Sequence, residues 1–282
     1  MLKGLLLESS TRHQEDILRI KFELDLVKEN IKLPINYNAH LRDLLFSLIS
    51  EKLEGFQPDK GEPFEKKHFS RFNFSKIFGD FEIIKEINNQ KNLLFTSSVS
   101  FFLSAPYDEL LKEFVDKMEP RRIIQLGKGE LCLAPLKVIR TPVFPKPVTL
   151  VRTLSPIAVS DHKPVGNRPS KKEYLSPNDP EFFKQLYQNL LDKYQSFYGF
   201  APKDKELTIK PYLFNEKRNS HFIKFKDFSI KGYSGIYKLT GSKELKAFAY
   251  DCGLGEHNAQ GFGMFDIFEE KKNKPVKKRP QS

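Results

Sequence analysis

The stretch GLGEHNAQGFG, residues 253–263, carries Gly253, Gly255, Gly261 and Gly263 as two G-x-G pairs around a polar middle. Glycine takes positive φ without steric penalty and lets a second backbone approach closely. Successive amides in such a turn form a nest for an anion, and a phosphate group suits it. A tight helix-to-strand connection is the plainer use of the same residues. Two familiar glycine patterns do not fit. G-x-G-x-x-G fails on spacing, and no βαβ unit of about 30 residues follows. The Lys-Ser/Thr ending of a P-loop is missing as well.

The glycines sit between two elements. A short helix around 242–250 precedes them, and 262–268 reads as a last strand. QGFGMFDIF, 260–268, partly matches the strand signature of RNA-recognition motifs, but those continue with a helix and another strand. Further back, 206–214 and 221–230 read as paired strands. Residues 179–198 read as a helix with Phe183, Leu186, Tyr187, Leu190, Leu191 and Tyr194 on one face. Asp179 suits its cap and Pro180 its first turn. Residues 148–159 read as a strand, and the proline-rich TPVFPKP, 141–147, as a linker.

The first half repeats this order. In LRIKFELDL, 18–26, apolar and polar residues alternate, as in a half-buried strand. Leu41, Leu44, Leu45, Leu48 and Ile49 form a helical stripe, with Asn38 as its cap and Gly55 and Pro58 closing it. Residues 56–70 read as a loop; 71–78, 81–87 and 93–103 as strands; 107–118 as a helix; and 121–139 as a hairpin around Gly127 and Gly129. The fold class is α+β, with two tandem ferredoxin-like (βαββαβ, RRM-like) domains at 17–142 and 148–270. An N-terminal extension, 1–16, and a basic tail, 271–282, flank them.

The chain has 282 residues and a formal charge of +11. The tail KKNKPVKKRPQS holds six basic residues and no acidic one, leaving +5 on the rest. It reads as a solvated arm or a phosphate-binding one. The two cysteines, Cys132 and Cys252, exclude a disulfide scaffold and a Cys-rich zinc domain. No set of metal ligands stands at the usual spacing, so neither metal nor cofactor is expected. No apolar run reaches the roughly 18–20 residues of a membrane span. The expectation is a soluble, cytoplasmic protein with no membrane partner.

The glycine segment resembles the G-h-G-x5-G-h-G loop (h is hydrophobic) of the RAMP superfamily. More narrowly, the chain is similar to the CRISPR-associated endoribonuclease that processes precursor CRISPR RNA within its repeats. LPINYNAHLRDLLFSLI (33–49), HFSRFNFS (68–75) and TLSPIAV (153–159) carry the resemblance in the same order. It covers about residues 18–268 and implies two ferredoxin-like domains.

The resemblance also implies a metal-independent transesterification. The ribose 2′-OH attacks the adjacent phosphorus, giving 5′-OH and 2′,3′-cyclic phosphate ends. Histidine suits acid–base roles near neutral pH, and a cation suits the phosphorane. His68, in EKKHFSR, is the first candidate and His40 the second, with Lys67 or Arg71 as the cation. A solvated charge cluster is the plainer reading of the latter pair. Some members of the family carry a tyrosine on the first helix, where Phe46 and Ser47 stand; Phe46 has no hydroxyl, which leaves Ser47 or His40 to substitute or His68 to act largely alone. Gly253, Gly255, His257, Asn258, Gly261, Gly263, Lys76, Lys224 and Lys226 are the RNA-binding candidates. The implied partners are CRISPR repeat RNA and other subunits of a CRISPR effector complex, around a monomer or homodimer. A non-catalytic repeat-RNA-binding subunit is the alternative.

Overall fold

The computed structural model describes residues 17–48, 62–65, 67–87, 89–118, 122–165, 168–225 and 228–269. The extension 1–16, Ile49, Gly55, Pro58, Lys226 and the basic tail lie outside the described residues. The first half runs β1 (Ile17–Leu26), β2 (Ile31–Pro34), α1 (Asn38–Leu48), β3 (Glu62–Phe64), β4 (Lys67–Phe69), β5 (Asn73–Phe74), β6 (Phe81–Lys85), β7 (Lys91–Phe95), β8 (Val99–Ser104), α2 (Asp108–Met118), β9 (Ile123–Leu126), β10 (Gly129–Leu133) and β11 (Lys137–Arg140).

The alternation in β1 does what its period requires: Ile20, Phe22 and Leu24 are fully buried. β1 is central in a six-stranded antiparallel sheet ordered β5-β8-β1-β10-β9, with β11 also on β1. Phe22 stacks on Phe101 of β8 at 4.6 Å. Leu41, Leu45 and Leu48 of α1 and Leu110, Leu111, Phe114 and Met118 of α2 cover this layer. A smaller antiparallel sheet, β2-β7-β6, lies beside it. The 56–70 stretch contains a hairpin rather than only loop: β3 pairs with β4 through Pro63↔His68. Its short strands and dense charge hide any period of two.

The second half runs β12 (Val148–Thr153), β13 (Ser160–Val165), β14 (Arg168–Tyr174), α3 (Pro180–Tyr198), β15 (Leu207–Leu213), α4 (Glu216–Asn219), β16 (Ser220–Phe225), β17 (Phe228–Tyr233), β18 (Ile236–Gly241), α5 (Lys243–Cys252), a 3-10 turn at Asn258–Gln260, and β19 (Phe265–Ile267). Its antiparallel sheet is ordered β15-β18-β12-β19. Two expectations are corrected. The 148–159 strand breaks after Thr153, near Pro156, which has no N–H to donate. The 206–214 and 221–230 segments do not pair with each other: β15 pairs with β18, while 220–233 folds on itself as the β16–β17 hairpin. The α3 face agrees with its period: Leu186, Leu190 and Tyr194 are buried in the second core and Phe183, Tyr187 and Leu191, half-buried, pack against it, with Phe182, Asp192, Lys193 and Phe197 also buried on this helix.

Asp179 caps α3 as expected, accepting the Glu181 N–H at 2.9 Å. Asn38 instead stands inside the first turn of α1 and donates from Nδ2 to Gln260 O at 2.9 Å. That bond ties the first half to the glycine loop. The cores interlock too: Ala259 packs in the first and Phe69 in the second. Arg19 of β1, fully buried, donates to Phe265 O and Tyr250 O at 3.0 and 2.8 Å. Among the described residues no helix is long and apolar enough to cross a membrane.

Candidate functional site

The glycine loop joins α5 to β19. Its four glycines are buried, with φ between +70° and +86°. A Cβ at Gly263 would fall 2.0 Å from Leu254 O, and one at Gly261 2.5 Å from the Phe74 ring. The amides of Gly253, Gly261 and Gly263 donate to Ala249, Asn258 and Pro156 carbonyls at 2.9, 3.0 and 2.8 Å. The open anion nest expected from these glycines is therefore replaced by an internally bonded turn. Their role is to let the loop pass tightly against β5, α1 and its own start.

The outer side of the loop borders a cleft. Gly255, Glu256, His257, Asn258 and Gln260 form one wall of a cleft of about 480 Å³. Lys67 and His68 of β4 line the same cleft, as do Ser160 and Asp161 of β13 and Gln185, Asn189 and Lys193 of α3. Lys67 Nζ is 2.7 Å from Asp192 Oδ2, and Gln188 donates to the other oxygen at 2.7 Å. His68 is exposed, and among the described residues its ring makes no hydrogen bond.

Lys193 escaped the sequence reading. Its ammonium is buried and donates to Gly253 O, Gly255 O and Asn258 Oδ1 at 3.1, 2.6 and 2.6 Å. Burial pushes its pKa down to about 8, against the pull of Cys252 and Glu256 upward. The available signal was its spacing: 186, 190, 193 and 197 share one helical face. Lys193 thus holds the first half of the glycine loop from beneath by its carbonyls.

His257 stands at φ +62°. Its Nε2 is 3.1 Å from the Tyr174 hydroxyl, and its Nδ1 meets Gln260 Oε1. Burial and then Glu256 push the Tyr174 phenol up to about 12, so it stays protonated at neutral pH. Glu256 in turn accepts from the Ser160 N–H and hydroxyl at 2.9 and 2.8 Å.

The other sequence candidates are dispersed. His40 lines a second cleft, of about 620 Å³, and is absent from the first. Ser47 is exposed on α1, lines neither cleft, and donates to Leu44 O at 2.7 Å. Arg71 is half-buried and Lys76 exposed, both off the cleft walls; Lys76 Nζ lies 5.2 Å from the Phe78 ring centroid. Lys224 is exposed on β16, with its amide on Asn36 Oδ1 at 3.0 Å. Among the described residues no three His, Cys, Asp or Glu side chains gather as metal ligands.

Residues 139–267 match the family described as CRISPR associated protein Cas6, C-terminal. A Putative CRISPR-associated endoribonuclease-like protein Cas6 from Pyrococcus furiosus is 30% identical over 256 residues, spanning 90% of this chain and 100% of that protein. CRISPR-associated endoribonuclease Cas6 1 from Methanocaldococcus jannaschii is 26% identical over 265 residues, 92% of this chain and 97% of that one. The solved structure of a Cas6-related gene product from Pyrococcus furiosus superposes with a TM-score of 0.75 at 28% identity, covering 90% of this chain and 99% of that chain. The antiparallel α+β layers and these likenesses over about nine-tenths of the chain agree, and the chain belongs to the Cas6 family of CRISPR-associated proteins.

Proposed function

We propose that this chain cleaves precursor CRISPR RNA within its repeats, without a metal ion. The ribose 2′-oxygen attacks the adjacent phosphorus, the 5′-oxygen leaves as a hydroxyl, and a 2′,3′-cyclic phosphate remains. Two ferredoxin-like units, 17–142 and 148–270, would carry the reaction between them. The strand order β15-β18-β12-β19, with α3 and α5 as crossovers, supports the second unit.

The observation that carries this reading is the meeting of His68 and Lys67 with the glycine loop across one cleft. His68 has a ring unencumbered by hydrogen bonds among the described residues, and it serves as the acid–base group. Lys67 stands beside it as the cation for the phosphorane, with Arg71 two residues past the end of β4 as the other choice. Gln260 and the Tyr174–His257 pair face them as ligands for the RNA strand, while Asn258, buried and bonded to Lys193, Leu254 and Phe262, braces the loop that carries them. That curated relatives carry the word endoribonuclease in their names supports the same reading.

The test is cleavage of the cognate repeat RNA by the purified chain in EDTA. Wild type cuts, a 2′-deoxy substitution at the scissile nucleotide abolishes cutting, and His68→Ala lowers the rate by about 10²–10⁴-fold. Loss of cutting in EDTA, or cutting of the 2′-deoxy substrate, overturns the mechanism. A second reading is a non-catalytic repeat-RNA-binding subunit. It is favoured by the engagement of His257 at both ring nitrogens and of Lys67 with Asp192, which leaves His68 alone. Tight binding with no cleavage by wild type selects it.

A further inference from the structure

The second cleft is unused by the proposed reaction. It opens beside β2 and β7 and the β9–β10 turn, and it is lined by Lys28, Lys32, His40, Asn92, Lys128 and Glu130 among others. Lys32 is committed to Glu86 at 2.5 Å, and Glu130 accepts from Gln125 at 2.9 Å. Lys28 and Lys128 are exposed, and among the described residues neither forms an ion pair. Two ammonium groups are thus free at the cleft's rim.

Asn92 adds an independent observation. Its side chain is only 4% exposed, yet among the described residues its Nδ2 has no hydrogen-bond acceptor. On β7, Leu93 and Phe95 pack into the first core, so Asn92 points to the other face, into the cleft. A buried donor without an acceptor is costly, and a ligand that brings an acceptor relieves that cost. Two free lysines with an amide donor between β-strands suit a phosphate flanking a base whose ring nitrogen or carbonyl accepts a hydrogen bond.

The start of α1 touches residues of both clefts. Asn38 bonds to Gln260 of the first cleft, while His40, two residues on, lines the second. We infer that the second cleft is a nucleotide subsite for the same RNA strand, holding one unpaired nucleotide away from the reacting phosphate. The inference rests on the RNA-processing reading and adds to it a place where the bound strand is read outside the reaction centre.

Fluorescence anisotropy of labelled repeat RNA, measured from low to physiological salt, tests it. In Lys28→Gln/Lys128→Gln, affinity falls about ten-fold or more and the log–log salt slope drops by about 0.7, the value for one lost single-strand phosphate contact. Asn92→Leu weakens binding about five-fold at an unchanged salt slope, and its melting temperature does not fall, because the replaced donor was unsatisfied. Unchanged affinity and slope in both variants, with wild type still binding, overturns the subsite alone. A mononucleotide that saturates the cleft and is not displaced by repeat RNA overturns it as well. Wild type that binds no repeat RNA removes the functional reading and the subsite together, while wild type that binds without cutting removes only the cleavage.

Discussion

Lys193 shows how a single buried charge shapes the site. Its three acceptors are two carbonyls and an amide oxygen, so no carboxylate neutralises it at contact distance. Desolvation therefore dominates, and the folded chain holds the proton less tightly than the unfolded chain does. Between pH about 8 and the free-lysine value of 10.5, the unfolded state binds more protons at this residue. Stability from this group accordingly rises with pH across that window. Chemical denaturation of wild type against Lys193→Met checks it: the difference moves in favour of wild type by up to about 3 kcal/mol between pH 8 and 10.5. A difference independent of pH refutes the assignment. The tight turn at the glycines was legible from their type and spacing alone, whereas Phe46 and His68 drew notice through the family resemblance. Lys193 was not, because a lysine on an apolar stripe reads as a solvated interruption unless its partners are known, and those partners lie some sixty residues away.

At the scale of elements, the glycine loop contrasts with the end of α3. Gly199 closes that helix at φ +78°, and a Cβ there meets nothing within 4 Å. Gly199→Ala is expected to cost only the left-handed backbone penalty, about 1–2 kcal/mol. Gly263 has the same backbone sign but carries Leu254 O 2.0 Å from the added Cβ, so backbone must move. Gly263→Ala is expected to cost about 3 kcal/mol or more and to lower RNA affinity, whereas Gly199→Ala leaves affinity intact. Urea melts and a binding titration of the two variants separate these outcomes. Local signals served well where the element is local. Asp179, Pro180 and the 3.6-residue period locate α3, and the alternation in 18–26 locates β1. Pairing was less legible. Whether 221–230 bonds to 206–214 or folds on itself depends on register with β18, which no local pattern encodes. The same limit explains the loop amides: the residues revealed a tight turn, but which carbonyls receive its N–H groups follows from the path of Pro156 and α5.

At the scale of the molecule, the two halves share their interiors. Phe69 fills the second core, Ala259 the first, and the guanidinium of Arg19 stacks 3.5 Å from the Tyr250 ring centroid while bonding two carbonyls of the second half. Calorimetry is expected to give one unfolding transition rather than two. Arg19→Met, which keeps length and loses the donors, is expected to cost about 2–3 kcal/mol and to split or broaden that transition. A narrow, unshifted transition in Arg19→Met refutes the coupling. Sequence order pointed to two similar halves, but the side chains exchanged between them were hidden in it, since each is ordinary for its own strand or turn. The exchange has a consequence for biosynthesis. β1 and its partner strands leave the ribosome long before Ala259 and Phe265 do, so the first core stays uncapped and Arg19 stays without its carbonyls while most of the second half is translated. A nascent chain stalled or nicked before α5 presents that open apolar face to chaperones and proteases, and the turn that finishes the cleft also decides when the polypeptide escapes them.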